Sequence, residues 1–259
     1  MSAALRFEDV VVRYGARVAL DRVSTQISTG QVTGIVGPNG AGKTTLLKAA
    51  AGLIPLASGK CFLFDRAIAD WPREKRAQKL AYLPQAGEAA WPLAAREIVA
   101  LGRMPHREPL TWLPAADALA VERALERTDA AQFANRRVDA LSVGERARVL
   151  LARALTTEAD VLLADEPVAH LDPAHQLRLM ALLREEAARG VAVAVTLHEL
   201  SLAARLCDRI LLLHRGNLVA QGTPDEALSA DMLARVFGIE AVRVTGPDGH
   251  STPVPWRTL

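Results

Sequence analysis

Apolar positions along the chain change period several times, and each change predicts an element. Residues 5–12 alternate loosely at period two, and residues 18–20 and 23–27 repeat the pattern after the turn Arg13-Tyr14-Gly15-Ala16, so three short strands are expected. Ser28-Thr29-Gly30 turns the chain into residues 32–36, an unbroken apolar run that reads as a buried strand, and a helix is expected over residues 43–51. Residues 59–64 predict another strand, residues 70–79 a charged exposed helix or turn, and residues 80–85 a short strand that ends on a loop glutamine, Gln85. From 88 to 155 the texture becomes rich in alanine, leucine and arginine with helical spacing, broken by Pro92, Pro105, Pro109 and Pro114. This reads as an inserted helical subdomain. Apolar runs return at 161–164 and 191–196, separated by a helix that Leu171-Asp172-Pro173 opens and Gly190 ends. A short helix over 201–207 and a hairpin around Arg215-Gly216-Asn217 follow, and Thr223-Pro224-Asp225-Glu226 combines an N-cap, an N1 proline and a capping glutamate at a further helix start. The tail, about 245–259, is rich in proline and glycine and is expected to be irregular. The whole predicts one α/β domain over 1–259: a mostly parallel sheet, an antiparallel β subdomain before it and helices inserted into it.

The first candidate chemistry lies between the strand at 32–36 and the helix after it. Gly37-Pro38-Asn39-Gly40-Ala41-Gly42-Lys43-Thr44-Thr45 fits G-x-x-x-x-G-K-[ST], the pattern of a phosphate cradle. Glycines let backbone N–H groups turn inward on a polyphosphate, and a helix N-terminus adds partial positive charge. In this reading Lys43 reaches the β- and γ-phosphates and the Thr44 hydroxyl is a ligand of Mg²⁺. The alternative is a plain glycine-rich turn.

Asp165 and Glu166 end the apolar run at 161–164, at the strand edge where ligands of parallel sheets gather. There Asp165 would stand in the shell of Mg²⁺ and Glu166 would polarise a water. Four weaker signals each have a plain reading beside the chemical one. Tyr14 packs or stacks on a purine, Gln85 is a loop residue or a ligand of Mg²⁺ or water, and His198 is structural or stands at the γ-phosphate. Leu141-Ser142-Val143-Gly144-Glu145 is a well-capped helix start or a second anion site.

Composition narrows the class. The 259 residues are 50% hydrophobic and 23% charged, an ordinary globular balance, and a net charge of +2 gives no basic field of the kind a nucleic-acid binder needs, so no nucleic-acid partner is expected. Cys61 and Cys207 lie far apart without nearby ligand pairs and read as reduced thiols of a cytosolic protein. The first ten residues lack the apolar core of a leader, and no apolar run approaches the roughly 20 residues that span a bilayer.

Taken in order, these motifs resemble the ATP-binding subunits of ABC transporters along essentially the whole chain. Residues 37–45 are similar to the Walker A motif, Tyr14 to the aromatic residue that stacks on adenine, Gln85 to the Q-loop, residues 141–145 to the signature, residues 162–166 to Walker B, Asp172 to the D-loop and His198 to the switch histidine. The resemblance implies ATP and Mg²⁺ as ligands, with Thr44, Gln85 and Asp165 at the metal and Glu166, His198 and Gln85 at the hydrolytic centre. It also implies a homodimer in which residues 141–145 touch the other copy's ATP, a separate integral-membrane permease with a periplasmic or surface substrate-binding protein, and a peripheral place on the cytoplasmic face of the inner membrane. The signature departs from the family's LSGGQ at Val143 and Glu145. A β-branched residue resists φ > 0 and keeps a phosphate from approaching as closely, so Val143 is expected to loosen that grip.

Leu101-Gly102-Arg103-Met104-Pro105-His106, together with Ala169-His170-Leu171-Asp172 and His175-Gln176, resembles the subunits that serve importers of iron-siderophore complexes, haem and cobalamin. That class implies a permease contact over residues 91–106, where ordinary packing is the plain alternative. A soluble ABC-type ATPase acting on a nucleic acid or an assembly complex is the other functional reading; such machines usually carry two cassettes or long coiled coils, and neither occurs here.

Overall fold

The N-terminal period-two stretch folds as one long hairpin. In the computed structural model, which describes residues 2–85, 92–107, 114–169, 171–247 and 249–259, β1 (Ala3–Tyr14) and β2 (Arg17–Ser28) pair antiparallel with Tyr14 opposite Arg17. The expected break between residues 20 and 23 is a bulge inside β2. Val10 pairs with Val23 and Val12 with Leu20, which leaves an extra residue on β2, and Arg22 takes φ +49°.

β3 (Val32–Val36), α1 (Lys43–Ala50), β4 (Ser58–Leu63) and β5 (Arg66–Ala67) follow. β4 pairs with the free side of β1, giving an antiparallel sheet of order β2-β1-β4-β5. After α2 (Arg73–Lys79) and β6 (Leu80–Leu83), the inserted region contributes α3 (Ala95–Ala100), α4 (Ala115–Arg127) and α5 (Val143–Thr156). Its start at residue 88, together with Trp91, Pro109 and His170, lies outside the described residues. Then come β7 (Val161–Ala164), α6 (Pro173–Ala188), β8 (Ala192–Thr196), α7 (Leu200–Leu206), β9 (Arg209–His214) and β10 (Asn217–Gly222). The second sheet has the order β10-β9-β3-β8-β7-β6, parallel throughout except for β10 at one edge.

Strand side chains alternate between faces, and that alternation divides the core in two. Val32, Val36, Leu162, Val193 and Val195 pack toward the inserted helices and α6, whereas Ile35, Val161, Leu163 and Ala194 pack toward α1 and the antiparallel sheet. Burial on both faces is why these strands read as unbroken apolar runs. Among the described residues no helix is long and apolar enough to cross a membrane.

The end of the chain differs from expectation. After α8 (Pro224–Ala227) and α9 (Ala230–Phe237), β11 (Ile239–Thr245) pairs antiparallel with β12 (Ser251–Thr258), so the tail is a hairpin and not irregular. Pro253 and Pro255 masked it, because proline argues against a strand unless that strand is an edge. β12 is such an edge, and the Ser201 hydroxyl on α7 donates to the Pro253 carbonyl at 2.9 Å.

Candidate functional site

The cradle forms because β3 must stop and α1 must start within a few residues. Gly37 has φ +153°, and a Cβ there would lie 2.2 Å from the Leu213 carbonyl oxygen, so only glycine lets the loop leave β3 beside β9. Gly42 is the N-cap of α1 at φ +108° and brings no side chain to the helix's first N–H groups, which leaves them for an incoming anion. Lys43 folds back over the loop: its ammonium donates to the carbonyls of Gly37 at 2.8 Å and Pro38 at 3.3 Å. Burial lowers the Lys43 pKa from its ordinary value, and the charges of Glu166 and Asp165 oppose that shift. A cavity of about 220 Å³ opens on this turn, bounded by Tyr14, Arg17, the loop from Asn39 to Thr45, and Glu166. Half of the Tyr14 surface is exposed, at the end of β1.

The two carboxylates after β7 are held very differently. Asp165 is 1% exposed and accepts three hydroxyls: Thr196 at 2.8 Å, Thr44 at 3.1 Å and Tyr82 at 3.3 Å. Burial first, and then the Asp165 charge, pushes the Tyr82 phenol up from its ordinary pKa, so the phenol is a donor. Glu166 has φ +48°, and its backbone N–H donates to the Thr196 hydroxyl at 2.7 Å. Its carboxylate lies between the Gln85 amide, which donates at 2.8 Å, and His198 Nε2. The folded chain therefore brings the cradle, Gln85, Asp165, Glu166 and His198 to one sheet edge. Thr196, Tyr82 and Arg17 join them without having been singled out in the sequence. Arg17 carried one signal, a cation just beyond the aromatic turn; Thr196 and Tyr82 sit inside apolar strands and carried none.

The signature segment stands apart, since none of residues 141–145 lines the cavity. Ser142 caps α5 by accepting the Glu145 N–H at 3.3 Å, and the Glu145 carboxylate accepts the Ser142 N–H at 2.7 Å. Val143 is the first helical residue and does not take positive φ, so the strain expected of a valine there is absent. The residue is 49% exposed. Asp172 caps α6 in the same manner, accepting the His175 N–H at 3.0 Å and facing its ring at 2.6 Å.

The 101–106 segment turns much of its chemistry inward. A Cβ on Gly102 would lie 2.2 Å from the Arg153 carbonyl oxygen, which brings the segment against α5. Arg103 pairs with the buried Asp117 at 2.8 Å and His106 meets the Thr157 carbonyl at 2.8 Å, while Met104 is exposed. These contacts anchor the segment within the chain and leave Met104 at the surface.

The donors at the cradle suit a hard divalent cation. A threonine hydroxyl, a buried carboxylate and a glutamine amide offer oxygen atoms, the set that Mg²⁺ takes with phosphate.

Comparison with known proteins agrees with this geometry. Residues 20–169 match the family model described as ABC transporter. A hemin import ATP-binding protein of Rhodococcus jostii is 42% identical over 92% of this chain and 80% of its own, and one of Pseudomonas aeruginosa is 41% identical over 95% and 97%. Among solved structures, an ATP-binding cassette in a dimeric post-hydrolysis state bound to ADP and phosphate superposes with a TM-score of 0.76 at 25% identity, over 85% of this chain and 98% of that one. Phosphate cradle, paired carboxylates and family match agree: the chain belongs to the ABC transporter family and is an ATP-hydrolysing subunit that binds ATP with Mg²⁺.

Proposed function

We propose that two copies of this chain close head to tail over two ATP molecules and so drive haem import through a separate permease. The observation that carries the dimer is the separation of two helix starts. One chain's cavity is bounded by its own cradle and lacks residues 141–145, so a second copy is needed to bring a signature against the same triphosphate. The dimeric cassette that superposes on the chain supports this arrangement. Haem as cargo follows the two relatives named for hemin import.

In this reading Tyr14 stacks on adenine, while Lys43, Arg17 and the α1 start hold the phosphates. Glu166 takes a proton from the water that attacks the γ-phosphorus; the bond from that phosphorus to the β,γ-bridging oxygen breaks, and ADP and phosphate leave. Gln85 and His198 orient the Glu166 carboxylate from both sides. Thr44, Asp165 and Gln85 would hold Mg²⁺, which neutralises phosphate charge when bound. Ser142, Val143, Gly144 and Glu145, with Leu141 behind them, present the second helix start to the other copy, and Asp172 lies next to that boundary. ATP binds the closed pair more tightly than the open one, and this difference drives closure. The permease docks near residues 91–106, which places the subunit on the cytoplasmic face of the inner membrane, with a substrate-binding protein on the far side.

Glu166→Gln tests the core of the proposal. ATPase activity should fall by about a hundredfold or more, and gel filtration with ATP and Mg²⁺ should show a stable dimer. A fully active, permanently monomeric variant would overturn it. For the cargo, the chain expressed with its permease should restore haem uptake to cells lacking that uptake; uptake of a ferric siderophore but not of haem would overturn the assignment.

A further inference from the structure

The two adjacent carboxylates of the site need a common frame, and the register of β7 and β8 supplies one. Ala164 pairs with Val195, so the next residue on each strand, Asp165 and Thr196, meets at the sheet edge. Thr196 has no exposed surface, and its hydroxyl is used on both sides: it donates to Asp165 Oδ1 at 2.8 Å and accepts the Glu166 N–H at 2.7 Å. A hydroxyl has one proton and two lone pairs, so accepting an N–H leaves its proton for the carboxylate. Two residues on, His198 touches the Glu166 carboxylate. The stretch 196–198 therefore holds Glu166 at its backbone and at its side chain. Glu166 needs that support, because φ +48° in a non-glycine residue is sparsely populated and persists only where its surroundings fix it.

We infer that Thr196 is a positioning residue for ATP hydrolysis, its hydroxyl, oriented by Asp165, fixing the Glu166 backbone in the geometry that the base needs. The inference rests on the reading of Glu166 as the base. Valine has nearly the shape of threonine, so Thr196→Val removes both hydrogen bonds while keeping the buried volume. Its kcat should fall about tenfold, the worth of the one bond to the Glu166 N–H, with KM and the equilibrium affinity for ATP with Mg²⁺ unchanged within about twofold. Thr196→Ser keeps the hydroxyl and should stay within about threefold of the parent. A purely structural threonine would not give this split between kcat and binding.

The decisive measurement is a double-mutant cycle with Glu166→Gln, read by single-turnover hydrolysis beside ATP binding and thermal midpoint. If Thr196 acts through Glu166, Thr196→Val should slow the Glu166→Gln protein by less than about twofold. A tenfold further loss there would assign Thr196 a general packing role and overturn the inference. So would Thr196→Val at full activity beside an inactive Glu166→Gln, or Thr196→Ser as slow as the valine variant. An active Glu166→Gln protein would instead overturn the assignment of the base. Should Thr196→Val not fold, Thr196→Cys, of similar volume but a weak donor, takes its place in the same cycle.

Discussion

Two helix starts in this chain are built from opposite solutions to the same problem. Every α-helix leaves its first N–H groups without partners, and a side chain, water or ligand must take them. α5 takes its own: Ser142 accepts one N–H, Glu145 reaches back to another, and an acidic residue sits in the first turn. α1 takes none, its cap being a glycine at positive φ with no acid in the first turn. The chain leaves the helix start at the cavity unfinished and completes the other, the one that in the proposed dimer meets the triphosphate second. The first grip is therefore expected to carry affinity, and the second to carry closure.

The largest break in that division should come from Lys43→Ala. It removes a buried ammonium that ties down two carbonyls and faces two carboxylates, and charge-assisted bonds of this type are worth about 1.5–3 kcal/mol each. Calorimetric titration should show ATP affinity reduced by about a hundredfold or more. Binding retained within tenfold would shift the first grip away from Lys43. Ser142→Ala addresses the other helix. Losing the cap costs about 1 kcal/mol of helix stability, and hydrolysis should fall about tenfold while ATP affinity of the isolated chain does not move. An equal loss in both measurements would erase the proposed difference between the two ends.

Val143→Gly restores the family's usual residue and sharpens the comparison from a third side. Because Val143 already takes a helical backbone, glycine relieves no strain there and brings its usual helix penalty of about 1 kcal/mol or less. ATPase activity is expected within about threefold of the parent. A gain of tenfold or more would mean that the half-exposed valine side chain, and not its backbone, holds the second grip open.

What the sequence showed and what it hid divide along the same physical line. Residues 37–45 are legible because the cradle is local: turn, helix start and lysine all lie within nine consecutive positions. Gln85, Asp165, Glu166 and His198 each stand where a strand ends, and order alone brought them together. Thr196 and Tyr82 are invisible at that level, because only the pairing of β6, β7 and β8 carries their hydroxyls to Asp165. The inward turn of Arg103 and His106 is hidden for the same reason, since Asp117 and Thr157 are remote in sequence. β12 is hidden for the opposite reason: Pro253 and Pro255 read as breakers, although an edge strand need not use their missing N–H groups.

The smallest expected effect separates the two helix starts by pH. Glu145 is held below the usual glutamate range, chiefly by the Ser142 N–H that its carboxylate accepts and further by the Ser142 side chain and Arg136. A carboxyl group depressed on folding stabilises the folded chain fully above its unfolded pKa, about 4.3, and that contribution is lost as pH falls through the lower folded value. The α5 start should therefore stay capped above the unfolded value and loosen only as pH falls through the lower folded one, while the α1 start has no carboxylate of its own in its first turn to titrate. In an NMR titration the Ser142 amide shift should follow a midpoint below about 4.3. Glu145→Gln keeps an acceptor oxygen without an ionisable group, so the same amide should then lose that transition. A midpoint at or above the ordinary glutamate value would mean that the reciprocal cap does not form in solution, and the signature end of the chain would then be as open to an anion as the cradle is.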